Sequence, residues 1–302
     1  MISWKSAGGP LAIFLTYILW GAMPVYWRAM SSIDPLEILA HRAVWSCVFS
    51  IVLLTAARKG GEALALVRSR RALPRLALSG AIITVNWYMY IWAVNNGRIL
   101  ETSLGYFMNP TVSILFGVIV FKERLRKVQQ LAIGVAFCGV CVEIAELGRP
   151  PVVSLGLAVT FGLYGLLKKT FAVDSITGLA IETALIAPFA LLWLAWRQSV
   201  GAARFPYPLG MDLLLAGAGV LTALPLIVFA WGVGRTKMTV LGLIQYTSPV
   251  MTFLTATLIY REPISAGRMF SFSLIWAGII IFTADSLLAH KEGLIYSQRP
   301  KG

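Results

Sequence analysis

Charged residues are scarce in this chain. They make up 13% of its 302 residues, whereas a soluble domain carries about a quarter. Hydrophobic residues make up 58%, and the mean hydropathy is +0.77. This composition excludes an ordinary soluble protein and predicts an all-α integral membrane protein.

Histidine is also scarce, with only His41 and His290 in the sequence. No GxxxxGK[ST] phosphate loop, no HExxH zinc motif and no serine or cysteine nucleophile beside a histidine is present. These absences exclude ATP-driven pumping by this chain alone. They also predict that it is not an enzyme and has neither a cofactor nor a metal site.

The three cysteines, Cys47, Cys138 and Cys141, all lie inside apolar runs, which argues against an extracellular disulfide framework. Cys138-Gly-Val-Cys141 has the spacing of a redox or metal motif, but it lacks a second pair or a nearby histidine. Helix packing explains it better. The first apolar run has no convincing cleavage site and is predicted to be retained as the first span.

Acidic residues number only 13 against 26 lysines and arginines, which gives a net charge of +13. The basic residues lie in short loops between apolar runs and form no nucleic-acid-binding motif. We therefore predict the lipid bilayer, and not a nucleic acid, as the partner of these charges. The sequence does not indicate an oligomeric state.

Long apolar runs dominate the remaining sequence. Because a helix needs about 20 residues to cross the hydrocarbon core, the sequence predicts ten membrane spans joined by connections too short to fold separately. The predicted spans are Pro10 to Trp27, Pro35 to Ala57, Leu73 to Val94, Thr102 to Phe121, Val128 to Ile144, Val152 to Leu167, Ile176 to Trp196, Met211 to Val233, Thr239 to Tyr260, and Ala266 to Leu287.

Lysine and arginine are distributed unevenly between the two sets of predicted loops. The set that includes both termini carries 18 of them and the opposite set carries 7. Positive residues concentrate on the cytoplasmic side of membrane proteins. The sequence therefore predicts that both termini are cytoplasmic.

The sequence also repeats itself. Gly97 to Gly105 resembles Gly234 to Gly242, and the interval of 13 residues from Pro110 to Glu123 recurs from Pro249 to Glu262. Each copy holds five spans, an odd number, so the copies are predicted to have opposite orientations in the membrane, as in many secondary transporters. The predicted units are residues 1–147, residues 148–290 and a cytoplasmic tail, 291–302.

Polar side chains interrupt the apolar runs at a few places. Asn86 and Tyr90 share one face of the third span, and Asn109 comes before Pro110 in the fourth. Pro110 and Pro249 remove the backbone donors for the carbonyls of Tyr106 and Gln245. Two such acceptors suit a ligand with ammonium or amide groups, although the prolines could equally serve only to bend the helices.

Arg42 lies about two turns into the second span, where an unpaired arginine costs roughly 2.5–3.5 kcal/mol. It could hold a substrate carboxylate, pair with Glu37 or Glu101, or extend to the interface. Glu182 has the matching place in the second copy and is a candidate proton or cation site. Glu123 and Glu262 are predicted to cap or pair at span ends.

These arguments predict a substrate site inside the bundle. Its candidate residues are Trp20, Arg42, Asn86, Tyr90, Trp92, Tyr106, Asn109, Tyr164, Trp231, Gln245, Tyr246 and Ser248. The predicted helix breaks are Pro24, Pro110, Pro225 and Pro249.

Four segments, Trp20 to Arg28, Glu37 to Ser46, Asn86 to Pro110 and Leu243 to Leu254, resemble the RarD permeases in the EamA branch of the drug/metabolite transporter superfamily. The resemblance covers nearly the whole chain. It implies a ten-helix carrier of the bacterial inner membrane, in a superfamily that commonly exports amino acids and other metabolites. We therefore predict a secondary transporter, most simply an exporter of a small organic metabolite such as an amino acid or an amphenicol-like drug. The alternative is a non-transporting receptor or scaffold.

Overall fold

The protein is described here by a computed structural model. It describes residues 4–30, 32–95, 99–147, 152–171, 173–202, 205–254 and 265–297, and within these ranges there are helices but no strands. The helices, in chain order, are α1 (Trp4–Arg28), α2 (Pro35–Ala56), α3 (Gly60–Arg68), α4 (Ala72–Asn95), α5 (Ile99–Phe121), α6 (Lys127–Leu147), α7 (Val152–Thr170), α8 (Ser175–Ser199), α9 (Leu209–Val233), α10 (Met238–Gln245), α11 (Thr247–Leu254) and α12 (Ala266–Ser297).

Eight of these helices, α1, α2 and α4 to α9, are long and apolar enough to cross a membrane. They correspond to the first eight predicted spans. Many of their apolar side chains face outward, as Phe189 and Leu192 do with exposed fractions of 73% and 69%. Outward apolar side chains are what a lipid surrounding requires. The protein is thus a multi-pass membrane protein.

The ninth and tenth spans were predicted to be continuous helices followed by a separate tail, and the structure differs at both places. The predicted ninth span is divided at Tyr246 into α10 and α11, and its end lies outside the described residues. Pro249 explains the division, because its nitrogen cannot donate to the carbonyl of Gln245. The predicted tail is also partly helical, since α12 continues to Ser297.

Prolines elsewhere do not divide their helices into two, and whether they bend them stays a prediction. α1 continues through Pro24, α5 through Pro110 and α9 through Pro225. A membrane helix tolerates an internal proline when its neighbours satisfy the freed backbone group. A further internal proline, Pro188 in α8, has the same outcome.

The helices pack mainly across the two halves of the chain. α1 packs on α9, α10 and α11, whereas α4 packs on α7 and α8. α2 lies against α8 and α9, α5 lies against α7 and α10, and α6 pairs with α12. The α6–α12 contact is close because glycines lie in it: a Cβ atom on Gly139 would be 2.8 Å from the carbonyl oxygen of Ser271.

Helices α2 and α8 begin alike and run antiparallel. Each is preceded by an aspartate that caps it, Asp34 for α2 and Asp174 for α8. Arg197 at the end of α8 lies 3.4 Å from Asp34, and Lys59 just beyond α2 lies 2.5 Å from Asp174. The two helices are therefore joined by an ion pair at each end.

Candidate functional site

Arg42 lies in the interior between two tryptophan rings. Its guanidinium carbon is 4.9 Å from the ring centre of Trp27 on α1 and 4.6 Å from that of Trp87 on α4. Its Nε donates a hydrogen bond of 2.6 Å to the hydroxyl of Thr222 on α9. Four helices therefore hold one positive charge, and the ring faces partly compensate for its lost hydration.

No carboxylate neutralises this charge among the residues that the structure describes. Glu37, the nearest acid along the helix, instead accepts from Arg197 at 3.5 Å and from the Tyr207 hydroxyl at 3.2 Å. The side chain of Glu101 is outside the described part of the chain. The η nitrogens of Arg42 make no hydrogen bond to any described residue, so they are available to an anionic or carbonyl-bearing ligand.

Two tyrosines extend the polar surface from Arg42. The rings of Tyr90 on α4 and Tyr106 on α5 are 5.8 Å apart. Both lie close enough to Arg42 to interact with its charge. Phenol groups beside an arginine can bind the polar atoms of a ligand and leave its apolar part to the rings.

The polar surface continues to the end of α10. Tyr17 on α1 lies near Tyr106 and Gln245, and its buried hydroxyl has no hydrogen-bond partner among the described residues. The Gln245 side chain is buried and accepts a hydrogen bond of 2.9 Å from Ser113 of α5. The path from Arg42 therefore reaches the point where the ninth span is divided.

An aromatic cluster borders this path. Trp20 packs at 5.1 Å from Tyr17, 5.6 Å from Phe161 and 5.5 Å from Phe229, measured between ring centres. Tyr164 is stacked on Phe229 at 6.3 Å. The cluster joins α1, α7 and α9 into an apolar wall.

Glu182 is another acidic group buried in the bundle. It is 1% exposed, and both of its carboxylate oxygens accept hydrogen bonds from Lys168, at 2.7 and 2.8 Å. Tyr164 lies beside this pair, with Lys168 Nζ 5.2 Å from its ring centre. Unlike Arg42, Glu182 is neutralised within the protein.

Among the described residues, no group of three or more His, Cys, Asp or Glu side chains is placed so that it could hold a metal ion. The chemistry of the site is that of binding: one cation, several hydroxyls, amides and aromatic rings.

Comparison with known proteins decides the family. The profile of the EamA-like transporter family matches the chain twice, at residues 7–144 and 151–284. The chain belongs to the EamA-like transporter family. Its two matches together cover most of the sequence.

Curated relatives agree with this membership. The chain is 41% identical to the uncharacterized transporter YojE of Bacillus subtilis over 278 residues, 91% of this chain and 93% of the relative. It is 42% identical to the protein RarD of Streptomyces exfoliatus over 280 residues, 92% of this chain and 89% of the relative. This EamA-family protein is therefore a homologue of RarD and a membrane transporter.

A solved crystal structure has the same fold. It matches 92% of this chain and 98% of its own length with a TM-score of 0.67 and 18% sequence identity. At that identity the match supports the fold of the EamA-family protein and nothing about its ligand.

The structure brings part of the predicted site together. Arg42, Tyr90 and Tyr106 form one group, Tyr17 and Gln245 lie near it, and Trp20 and Tyr164 belong to the bordering cluster. Asn109 is 5% exposed, and its side-chain oxygen has no hydrogen-bond partner among the described residues.

Other predicted residues lie elsewhere. Trp92 and Trp231 face outward, with exposed fractions of 38% and 40%. Tyr246 packs with Phe107 and Phe272 in the contact of α5, α6 and α12. Ser248 is buried where α11 meets Gly21 of α1.

Asn86 is used for packing in this structure. Its amide nitrogen donates to the carbonyl of Leu157 at 3.0 Å and to the Thr160 hydroxyl at 2.8 Å, both on α7. Those bonds fasten α4 to α7. Whether Asn86 also contacts the substrate stays a prediction.

The sequence analysis did not select Trp27, Trp87, Thr222 or Lys168. Position along a span does not reveal which of these side chains reaches inward. Glu123 was predicted to cap, and this is confirmed: it accepts from the backbone nitrogen of Met238, the first residue of α10, at 2.9 Å. Glu262 lies outside the described residues.

Proposed function

We propose that this protein is a secondary transporter of the bacterial inner membrane that binds a small organic metabolite at Arg42 and exports it by alternating access. The observation that carries the proposal is the Arg42 guanidinium, held at 4.9 and 4.6 Å from two tryptophan rings. A charge within a membrane span that has no acidic partner is costly, and such a residue is a candidate for a functional site. A substrate carboxylate, or another strong acceptor, would complete its bonding.

Amino acids and amphenicol-like drugs are the substrate classes that this site suits first. Arg42 provides donors at one end, and Gln245 and Tyr17 provide an amide and a hydroxyl at the other. A molecule with an acceptor at one end and a donor at the other therefore fits best.

An inverted repeat supplies the alternating access in this proposal. If α1 corresponds to α7 and α9 to α4, then the packing of α1 on α9 is the counterpart of the packing of α7 on α4. α2–α8, α5–α10 and α6–α12 are then pairs of corresponding helices. The two separate matches of the family profile support the same duplication. Two such halves of opposite orientation have two exchanging arrangements around one site.

The proposal places both termini in the cytoplasm, supported by the 18 to 7 distribution of lysine and arginine. Reporter fusions after Lys291 and inside the loop from Arg58 to Arg75 should both report the cytoplasm. A periplasmic signal from either fusion would overturn this orientation.

A binding experiment tests the site. The purified protein is screened by thermal shift against amino acids, amphenicols and other metabolites, because a ligand that binds only the folded state raises the melting temperature. For the ligand found, Arg42→Gln should lose the shift while the free protein melts at or above the wild-type temperature. Arg42→Lys keeps the charge but not the planar donor pair, and should bind weakly.

Uptake into proteoliposomes then separates transport from binding alone. Preloaded ligand should drive exchange of labelled ligand in the wild type and not in Arg42→Gln. Undiminished affinity in Arg42→Gln would remove Arg42 from the site, and binding without exchange would favour a receptor over a transporter.

A further inference from the structure

The short helix α3 is the part of the structure that the transport proposal leaves unused. It connects α2 and α4, packs against α4 and α8, and has no buried residue. Leu64 and Val67 are 50% and 45% exposed. Two large apolar side chains on a nine-residue connection are therefore uncovered by the protein.

The exposed apolar side chains share one face of α3. Leu64 and Val67 are three residues apart, which places them side by side on a helix. The neighbouring face carries Ala63 and Leu66, which are half-buried, whereas Glu62 lies on the opposite side. α3 thus has an apolar face that continues outward from its contact with the bundle, and a polar face away from it.

The position of α3 along the chain determines what this face meets. α3 begins four residues after α2 ends and ends four residues before α4 begins, and both neighbours are membrane-spanning helices. So short a connection holds α3 at the boundary between lipid and water. An apolar face at that depth is covered by the outer part of the acyl chains.

Charge identifies the lipid class. The segment from Arg58 to Arg75 carries six basic residues and one acid. Lys59 is paired with Asp174, and Arg75 lies over the ring of Phe171.

The other four basic residues are exposed, and none has an acidic partner within 4 Å in the described part of the chain. They are Arg58, Arg68, Arg70 and Arg71. Guanidinium groups bind phosphate strongly because they offer paired donors in a plane. The adjacent apolar face favours a phosphate that is attached to acyl chains.

We propose that α3 and its flanking arginines form a binding site for anionic phospholipid of the surrounding bilayer. The arginines hold the phosphate groups, and Leu64 and Val67 insert beside the acyl chains. A basic cluster next to a membrane helix is attracted to an anionic lipid surface. The site is separate from Arg42 and does not depend on which substrate is transported.

Lipid retention in native mass spectrometry measures the interaction on folded protein. The probes are phosphatidylglycerol and, as a neutral lipid of the same chain length, phosphatidylcholine. The wild type should retain phosphatidylglycerol preferentially. Arg68→Gln, Arg70→Gln and Arg71→Gln combined should weaken that retention by about tenfold or more.

A matched control removes three exposed basic residues from another short loop. Lys122→Gln, Arg124→Gln and Lys127→Gln combined should leave retention of phosphatidylglycerol within about twofold of the wild type. Equal loss in both triple variants would show a general effect of net charge and overturn the site.

The apolar face is tested separately. Leu64→Ser with Val67→Ser keeps every arginine and should weaken retention several-fold, and it should leave thermal stability in neutral lipid unchanged because neither side chain is buried. Glycerol phosphate, which has the charge but no acyl chains, should not compete. Competition by glycerol phosphate at equal concentration, or unchanged retention in the serine variant, would overturn the assignment to a lipid.

Discussion

Helices α2 and α8 begin in the same way and carry opposite charges at matching places. Each has an aspartate cap, and eight residues later α2 has Arg42 and α8 has Glu182. Glu182 receives two hydrogen bonds from Lys168. Arg42 has a threonine hydroxyl and two aromatic rings instead.

Under the proposed function, this difference separates a structural charge, Glu182, from a ligand-binding one, Arg42. A buried ion pair satisfies itself, so Glu182 contributes little attraction for a solute unless Lys168 moves away. A cation held by rings keeps its donors for a ligand. That Glu182 is a proton or cation site remains a prediction. It now requires that Lys168 first moves away from the Glu182 carboxylate.

The largest effect is expected from breaking the pair at Glu182. Lys168→Met leaves a buried carboxylate without its partner, which costs about 3–5 kcal/mol of unfolding free energy. Lys168→Met combined with Glu182→Met removes both charges and should recover most of that loss. Unfolding titrations in detergent give both values, and a single variant within about 1 kcal/mol of the wild type would contradict the role of the pair.

Arg42 can be given an ion-pair partner like that of Glu182. Thr222→Asp would give Arg42 an acidic partner, because the Thr222 hydroxyl is already 2.6 Å from its Nε. The new carboxylate should compete with the substrate and lower affinity at least about tenfold, while the fold is kept. Thr222→Val removes only one neutral hydrogen bond, worth about 1 kcal/mol, and serves as the control in the same binding assay. Unchanged affinity in Thr222→Asp would mean that the ligand does not use Arg42.

A smaller effect is expected at Asn86, whose two bonds join α4 to α7. Asn86→Leu should lower stability by roughly 1–2 kcal/mol, since hydrogen bonds between membrane helices contribute about 0.6 kcal/mol each on average and up to about 1.7. Ligand affinity of the folded fraction should persist. The opposite result, lost affinity with preserved melting temperature, would place Asn86 in the substrate site.

The smallest effect is expected at the caps, and it depends on pH. Burial alone would raise the pKa of Asp174, but hydrogen bonds from Lys59 and Thr177 outweigh it, so that the pKa is lowered from 3.8. The ionised cap therefore stabilises the fold above its unfolded pKa of about 3.9, and this contribution disappears as the pH falls through the lower, folded value.

Asp174→Ala should consequently cost about 1 kcal/mol at pH 7, and the difference from the wild type should shrink below about pH 4. Melting temperatures of both proteins across this range check the sign. Asp34→Ala is the matched variant on α2. A difference that grows toward acid would contradict the direction of the shift.

Much of the fold follows from hydropathy alone. The first eight predicted spans correspond to helices because an apolar run of about 20 residues has few alternatives in lipid. The division at Tyr246 was marked by Pro249, but Pro110 has the same local signal and leaves α5 continuous. Local sequence shows that a backbone donor is missing, and only the neighbouring helices determine whether the helix ends there.

The site was harder to predict than the spans. Arg42 could be selected because a charge in lipid is conspicuous, and Tyr90 and Tyr106 because they lie in a polar stretch. Trp27, Trp87 and Thr222 had no such signal, since tryptophan and threonine are common in membrane helices. Their roles depend on which faces of α1, α4 and α9 meet α2, and this is a property of packing between distant segments.

The ion pairs at both ends of α2 and α8 restrict how these two helices can move relative to each other. A single ion pair would allow the two helices to tilt about it. The two ion pairs are separated by the length of α2, about 33 Å at 1.5 Å per residue. Together they oppose both tilting and sliding of the two helices. Lys59–Asp174 and Arg197–Asp34 thus favour one relative position of α2 and α8. A change of shape around Arg42 would then come from rotation of α1, α4 and α9 about a stationary α2–α8 pair.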